Sequence, residues 1–355
     1  MRKLVIIGAV LLPILSSAQT IDGDPRAITS DQLVKKGDLR YEAGSETPFT
    51  GLVTSAFPGG QMASEVTYID GQLNGFWTMW DRDGRKTSIR TYRNGQLHGL
   101  KITWYRNGRK KSVESYQFGE LHGVSTVWNE NGQKSREESF VDGDKTGRAT
   151  EWYENGQKSV EEDYLRELRH GLSTRWCKNG AKQYEKNYDT GRLNGLWTKW
   201  YPNGQKEFEA NFVYEVPDGL MTWWHENGHK KVESNVIMGR PEGLATEWYD
   251  DGQKKCEQNF ANGKRDGSGT EWDKNGKELK IGSGGRPCPS SQNGGSFSPT
   301  LLPGQKVVSV RTTNDEKITA VTTHDQVTTT VTESLSASDR KELLSRVQNS
   351  RNCGD

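Results

Sequence analysis

The sequence returns to one pattern every 24 residues, and this return constrains the fold more than any other feature. Nine tryptophans recur at that spacing, and a glycine stands five residues before each of them. They are Trp80, Trp104, Trp128, Trp152, Trp176, Trp200, Trp224, Trp248 and Trp272. A fixed period of roughly 20 to 50 residues is the signature of an array in which each unit packs on its neighbours. The chain is therefore predicted to be a repeat protein.

Each unit is predicted to be a β-hairpin. In the five residues after the glycine, for example 196–200, side chains alternate with a period of two, which indicates a strand with one mainly apolar face. A turn with Asn and Gly follows, and a second extended run such as 157–164 completes the hairpin. One hairpin buries too little surface to fold alone, so the units must stack. We predict an all-β fold, an elongated open meander of tandem hairpins about 90 Å long at about 4.8 Å per strand.

The turn after the repeated tryptophan is predicted to be a three-residue loop, a type I turn followed by a left-handed glycine. In that register Trp152 lies opposite Lys158, and Thr150 shares a face with Val160. The repeated lysine would then cover the indole of its own unit.

Two early units depart from this pattern. Their apolar residues Ile89 and Val113 come one place later than Val160 does in its unit. We expect a bulge or a local slip of register there.

Composition divides the chain into six segments. Arg2 and Lys3, an apolar run and small residues ending near Ala18 predict a cleaved signal peptide and a periplasmic or extracellular protein. The segments are a signal peptide (1–18), a flexible lead-in (19–32), an N-terminal cap hairpin (33–50), the tandem repeats (51–282), a Gly/Ser/Pro linker (283–300) and a C-terminal β/α segment of unknown type (301–355). In the last segment, 307–331 predicts two or three strands and 339–347 a short helix.

An exported chain can form disulfides, so the four cysteines matter. Cys177 and Cys256 lie three units apart, about 30 Å, which exceeds the limit of about 7 Å for a bridge, and we expect both to be packing residues. Cys288 and Cys353 flank the C-terminal segment, and whether they close it as a loop is left open.

Charge and motif content exclude several function classes. Lys and Arg number 48 against 47 Asp and Glu, so no bulk charge favours nucleic acid, and membrane contact is not expected. The sequence has no nucleophile motif, phosphate-binding loop or clustered Cys and His set, which predicts no enzyme, no cofactor and no metal. His98, His122 and His170 share one turn position about 10 Å apart, too far to share an ion.

Three further tryptophans are the candidate partner-binding residues. Trp77 and Trp197 stand two places after their glycine and Trp223 stands four, so all three point to the face opposite the repeated tryptophans. Exposed there, they would stack on sugar rings or anchor a protein. The other interpretation is lateral packing between units.

The consensus G-L-x-T-x-W-Y-x-N-G-Q-K-x-x-E-x-x-Y resembles the bacterial variant of the MORN repeat over about residues 33–280. The opening segment, with Pro48-Phe49-Thr50-Gly51, is similar to the start of the YwqK-family antitoxin proteins. The resemblance implies an all-β scaffold that contacts proteins or membranes, with no catalytic residue. The antitoxin label implies neutralisation of a partner protein. The leader peptide departs from a cytosolic antitoxin.

We therefore expect an exported, non-enzymatic repeat scaffold that mediates protein–protein interaction. The alternatives are carbohydrate or cell-wall binding through exposed tryptophans and antitoxin-like neutralisation of a partner. Because the repeated residues explain how the array holds together, specificity is expected where the repeats differ.

Overall fold

The computed structural model describes residues 26–279 and the backbone of three later strands within 306–333. The described residues form two compact units, 26–108 with 116–119, and 109–115 with the residues from 120 onward. The predicted signal peptide, linker and C-terminal helix lie outside the described residues. Among those described there is no α-helix, and hence no helix long and apolar enough to span a membrane.

The first unit is a meander of antiparallel strands that pair in chain order from β4 to β8. The elements are β1 (Ala27–Thr29), a 3-10 helix (Ser30–Gln32), β2 (Leu33–Lys36), β3 (Leu39–Glu42), β4 (Gly51–Ala56), β5 (Met62–Ile69), β6 (Gln72–Trp80), β7 (Lys86–Arg93) and β8 (Gln96–Trp104).

The start of this unit corrects the predicted flexible lead-in. β1 and the 3-10 helix lie within 19–32, so that prediction is wrong for these residues. β1 pairs in parallel with β4, whereas β2 and β3 form a separate hairpin. The backbone groups of β4 that would form an open edge are therefore paired by β1. Ile28, Phe49, Val53 and Val66 form a small buried cluster beneath.

The second unit continues the same pattern. Its strands are β9 (Lys110–Gln117, in large part), β10 (Glu120–Leu121), β11 (Gly123–Trp128), β12 (Lys134–Val141), β13 (Asp144–Trp152), β14 (Lys158–Leu165), β15 (Leu168–Trp176), β16 (Lys182–Asp189), β17 (Arg192–Trp200), β18 (Lys206–Val213), β19 (Val216–Trp224), β20 (Lys230–Ile237), β21 (Arg240–Trp248), β22 (Lys254–Ala261), β23 (Lys264–Trp272) and β24 (Glu278–Leu279). From β11 to β24 each strand pairs antiparallel with the next. The predicted fold, an open meander of tandem 24-residue hairpins, is confirmed.

Three antiparallel strands form a separate sheet near the C-terminus. They are β25 (Lys306–Thr312), β26 (Ile318–His324) and β27 (Val327–Glu333). They lie where the sequence predicts two or three strands.

The turn after the repeated tryptophan is the predicted three-residue loop. The Tyr153 N–H donates to the Gln157 carbonyl at 2.8 Å, and the Gly156 N–H donates to the Tyr153 carbonyl at 2.9 Å. Gly156 has a φ of +84°, the left-handed conformation that closes a type I turn. Trp152 pairs with Lys158, so this part of the register is confirmed.

A β-bulge beside the turn reverses the predicted faces. After the tryptophan–lysine pair the register shifts by one residue, which leaves Ser159 as the extra residue on its strand. Val160 then pairs with Glu151, and Thr150 pairs with Glu161. Because side chains alternate along a strand, one extra residue sends every later side chain to the opposite face. The prediction that Thr150 and Val160 share a face is therefore wrong.

The early units show no additional slip. Ile89 pairs with Thr78 of the preceding strand, just as Glu161 pairs with Thr150. Val113 pairs with Thr126 of a following strand, just as Glu161 pairs with Thr174. The slip predicted from the later position of Ile89 and Val113 is wrong. Their side chains instead occupy the face that carries glutamates in the other units.

Candidate functional site

The two faces of the sheet carry different side chains, and we name them by position after each leading glycine. The ladder face holds the residues one, three and five places after it, together with their strand partners. The core face holds the residues two and four places after it, with theirs. Thus Leu196, Thr198 and Trp200 lie on the ladder face, whereas Trp197 and Lys199 lie on the core face.

A column of alternating threonine and glutamate crosses the ladder face of the second unit. Consecutive strand pairs join Thr126, Glu137, Thr150, Glu161, Thr174, Glu185, Thr198, Glu209, Thr222, Glu233, Thr246, Glu257 and Thr270. The hydroxyl of Thr198 donates to the Glu209 carboxylate at 3.2 Å, and that of Thr222 donates to Glu233 at 3.4 Å. Each of these hydroxyls supplies one of the several hydrogen bonds that a carboxylate can accept.

Each glutamate of this column also binds the lysine three residues before it. The six pairs are Lys134–Glu137, Lys158–Glu161, Lys182–Glu185, Lys206–Glu209, Lys230–Glu233 and Lys254–Glu257. The lysine was predicted to cover the indole of its own unit, and this is wrong. Lys182 Nζ lies 5.6 Å from the ring centroid of Trp200, and Lys206 Nζ lies 5.5 Å from that of Trp224. Five of the six lysines, all except Lys254, reach the indole of the next repeat in this way. Lysine, glutamate and the following tryptophan thus form a three-residue site that joins neighbouring repeats.

A row of exposed apolar side chains, which we call the apolar row, lies beside this column, one place after each glycine. Its members in the second unit are Val124, Leu172, Leu196, Leu220 and Leu244, which are 43% to 56% exposed. Their strand partners are polar, for example Asn211 opposite Leu196. The bulge explains this, because it turns the apolar side chains of the returning strands toward the core face. An exposed apolar row on a rigid backbone is a candidate interaction surface.

The three candidate tryptophans lie on the core face, opposite the repeated ones. Trp197 is only 2% exposed, and its ring packs on Phe208 and Phe212 with centroids 5.2 Å and 5.5 Å away. Trp223 packs part-buried against the same cluster, and Trp77 packs against the small cluster of the first unit. The expectation of an exposed aromatic is therefore wrong for Trp197. Lateral packing between neighbouring 24-residue repeats accounts for its position.

A group of charged and polar side chains lies beside Trp197 on the core face. The buried Glu162 carboxylate accepts hydrogen bonds from Ser173 at 3.0 Å and from the Tyr164 hydroxyl at 2.6 Å, and Arg169 lies 2.9 Å from it. Burial, together with the bond to Glu162, raises the pKa of Tyr164 to about 12.

Lys186 completes this group. It pairs with Ser173 on one side and with Trp197 on the other, and its ammonium lies 4.5 Å from the Trp197 ring. Burial, helped by the positive charge of Arg169, lowers the pKa of Lys186 to about 8. These groups bind one another, so a structural role explains them.

The alternation of threonine and glutamate on the ladder face is interrupted in the first unit. Ile89 stands between Thr78 and Ile102, where most repeats place the glutamate. Val113 stands at the same position in the next repeat. Lys86, the lysine that would bind that glutamate, has no ion pair among the described residues. Within residues 26–279, no cation lies over the Trp104 ring either. A pocket of about 490 Å³ lies beside this position, at the neighbouring turns, and Lys86 and Trp104 are part of its lining whereas Ile89 is not. Sequence reasoning noted Ile89 but read it as a slip of register.

The repeated histidines make contacts between turns. His122 Nδ1 lies 3.2 Å from Asp142 Oδ1, and His170 makes the equivalent contact at 3.3 Å. His98 packs edge-on against Phe118 with centroids 5.4 Å apart. In residues 26–279, no three His, Cys, Asp or Glu side chains are grouped so that they would hold a metal ion.

The cysteines correct one expectation. Cys177 and Cys256 are 2% and 3% exposed, and both are disulfide-bonded. The prediction that they are packing residues only is wrong. Cys288 and Cys353 lie outside the described residues, and so does the pairing considered for them.

Comparison with known families agrees with the geometry. A family model described as "MORN repeat variant" matches residues 121–142, 145–165, 193–214, 217–237 and 241–262. A comparison with curated proteins finds no match. The similarity to the YwqK-family antitoxins is not tested by these findings and stays a prediction. The matched segments are hairpins of the second unit, and the strands of the first unit repeat the same 24-residue pattern. The second unit thus contains five hairpins that match the MORN repeat variant.

Proposed function

We propose that this chain is an exported, non-enzymatic scaffold that binds another protein through the ladder face of its second unit. The apolar row supports the proposal: Leu172, Leu196, Leu220 and Leu244 are each 43% to 56% exposed although they hold the same place in four successive repeats. A monomer that kept such a row facing water without using it would risk association.

The neighbours of the row suit a protein partner better than a lipid surface. Asn187, Asn211, Asn235 and Asn259 pair with the four leucines and offer amide donors and acceptors between the apolar side chains. Protein interfaces combine apolar contacts with about one hydrogen bond per 100 to 200 Å². The strand ladder holds these side chains at fixed spacing, as solenoids do on their binding surfaces.

The other functions have less support. Carbohydrate binding requires exposed tryptophans. Because Trp197 is buried, it is not accessible to a sugar ring. Neutralisation of a toxin is a narrower form of the same protein-binding proposal and rests on the family resemblance. Export rests on the leader, whose cleavage near Ala18 is checked by sequencing the N-terminus of the exported protein.

The test is affinity capture with the mature chain from the exported fraction. Replacing Leu172, Leu196 and Leu220 with serine should abolish capture of the partner while the far-ultraviolet circular dichroism stays unchanged. The matched control replaces Val213 and Met238 with serine. Both are also exposed apolar residues, but Val213 lies at the end of β18 and Met238 in a turn, and this variant should retain the partner.

Two results would contradict the proposal. One is capture that survives the three serine substitutions. The other is specific binding on a glycan array with no protein captured, which would favour carbohydrate binding.

A further inference from the structure

The lysine–glutamate pairs of the ladder face, which we call the closed ladder sites, show which chemical group this surface binds within the chain itself. Lys182 Nζ lies 2.5 Å from the Glu185 carboxylate and 5.6 Å from the ring centroid of Trp200. This site holds one carboxylate next to an ammonium and an indole. The arrangement recurs at five of the six glutamates that stand three residues after the repeated lysine, Lys254 being the one that does not lie over the next indole among the described residues.

The first unit keeps the lysine and the indole but lacks the carboxylate. Lys86 occupies the lysine position, Trp104 is the tryptophan of the next repeat, and Ile89 replaces the glutamate. Lys86 is exposed and, among the described residues, is paired with no carboxylate. We call this the open ladder site.

The charges around the open ladder site leave a positive excess. Four cationic side chains and two carboxylates line the pocket of about 490 Å³. The Asp83 carboxylate is already held by Arg85 at 3.0 Å and by Arg106 at 3.1 Å. The other carboxylate, Asp81, accepts the backbone N–H groups of Asp83 and Arg85 at 2.9 Å each. Lys86 and Arg82 are the two lining cations with no carboxylate partner among the described residues, so the pocket favours an anion.

We propose that the open ladder site binds an acidic side chain of a partner protein, whose carboxylate takes the place of the missing glutamate between Lys86 and Trp104. This inference rests on the proposed protein-binding function and adds a second contact on the first unit. The methylene groups of an incoming glutamate would lie on Ile89 and the indole.

The observations favour a protein carboxylate because the closed sites already bind the same group from a peptide chain six times. An acidic sugar would present the same charge, with a ring to stack on Trp104. The experiment therefore separates these two sources.

The test is fluorescence anisotropy of a labelled hexaglutamate peptide titrated with the mature chain at low ionic strength. All variants carry Val113→Glu, which closes the same position of the next repeat. In that background Ile89→Glu supplies the missing carboxylate from the chain itself and should weaken binding at least about tenfold, which corresponds to about 1.4 kcal/mol. Lys86→Gln should weaken it similarly because the cation is lost. Ile89→Gln, which adds volume and polarity without charge, should stay within about twofold of the parent that carries Val113→Glu alone.

Closed sites supply matched controls. Lys158→Gln should leave binding unchanged because Glu161 already occupies that lysine. Glu161→Ile opens that site and should add a second binding site for the peptide.

Hexaglutamate that binds Ile89→Glu as tightly as that parent, or hexaglutamine that binds as tightly as hexaglutamate, would overturn the inference. Binding of oligogalacturonate without binding of hexaglutamate would replace the protein partner with an acidic sugar. Partner capture through the apolar row is measured separately, so failure at the open ladder site leaves that result standing.

Discussion

Two adjacent residues of one strand provide the sharpest test of which face forms the core. Leu196 opens the repeat motif and lies on the ladder face, 47% exposed, whereas Trp197 lies on the core face, 2% exposed. Sequence periodicity places the leucine on the apolar face and the tryptophan on the solvent face. The structure predicts the reverse order of cost when each is replaced by alanine.

The magnitudes follow from the burial. Full burial of a leucine contributes about 1.5 to 3 kcal/mol, so Leu196→Ala should lower the free energy of unfolding by about 1 kcal/mol. Trp197→Ala should lower it by about 3 to 5 kcal/mol, because a cavity forms and the ring contacts with Phe208 and Phe212 are lost. Trp197→Phe should cost less than about 2 kcal/mol. It removes an indole N–H that has no hydrogen-bond partner in the described structure, and such a group costs about 1 to 3 kcal/mol when buried.

The assay is urea unfolding of the three variants, followed by far-ultraviolet circular dichroism and analysed by linear extrapolation. The expected order of destabilisation is Trp197→Ala, then Trp197→Phe and Leu196→Ala close together. Equal losses for the two alanine variants, or a larger loss for Leu196→Ala, would refute the assignment of the core face.

Three further predictions concern turns, ladder and pH. Glu215 holds a φ of +73° where Gly239 of the next repeat has +75°, so Glu215→Gly should raise the free energy of unfolding by about 1 kcal/mol and Gly239→Ala should lower it by a similar amount in the same urea assay. A double-mutant cycle on Lys158 and Glu161 should give a coupling of about 0.3 to 1 kcal/mol that shrinks at high salt, and a coupling unaffected by salt would argue against an ion pair. The pKa of Lys186 is about 8 in the folded chain and 10.5 ordinarily, so between these values the unfolded chain binds more protons and stability should rise with pH. Thermal melts of Lys186→Met should lack that rise, and an unchanged pH profile would show that Lys186 is not its source.

Much of the local structure could be predicted because it depends on residues close together in the chain. The hairpin period follows from the regular glycines and tryptophans. The three-residue turn follows from Asn155 and Gly156, since glycine takes the left-handed conformation at no steric cost. The Trp152–Lys158 pair then follows from the loop length.

The candidate site was only partly predictable. Spacing correctly placed Trp77, Trp197 and Trp223 opposite the repeated tryptophans, but spacing does not report exposure, and Trp197 is buried. The apolar row and the open ladder site were missed. The signal for the second was Ile89, which breaks a column of glutamates and can be interpreted correctly only when the strand register is known.

By itself, then, the sequence determined that this protein is a tandem array of β-hairpins with a 24-residue period, because glycine, turn and strand propensities act within a few residues. Only the tertiary structure decided which face is the core. The extra residue at Ser159 and its equivalents exchanges the two faces of each returning strand, and a bulge is stabilised by packing across strands rather than by any one residue type. For the same reason, only the tertiary structure showed that lysines such as Lys158 reach the indole of the next repeat, and that β1 pairs with β4.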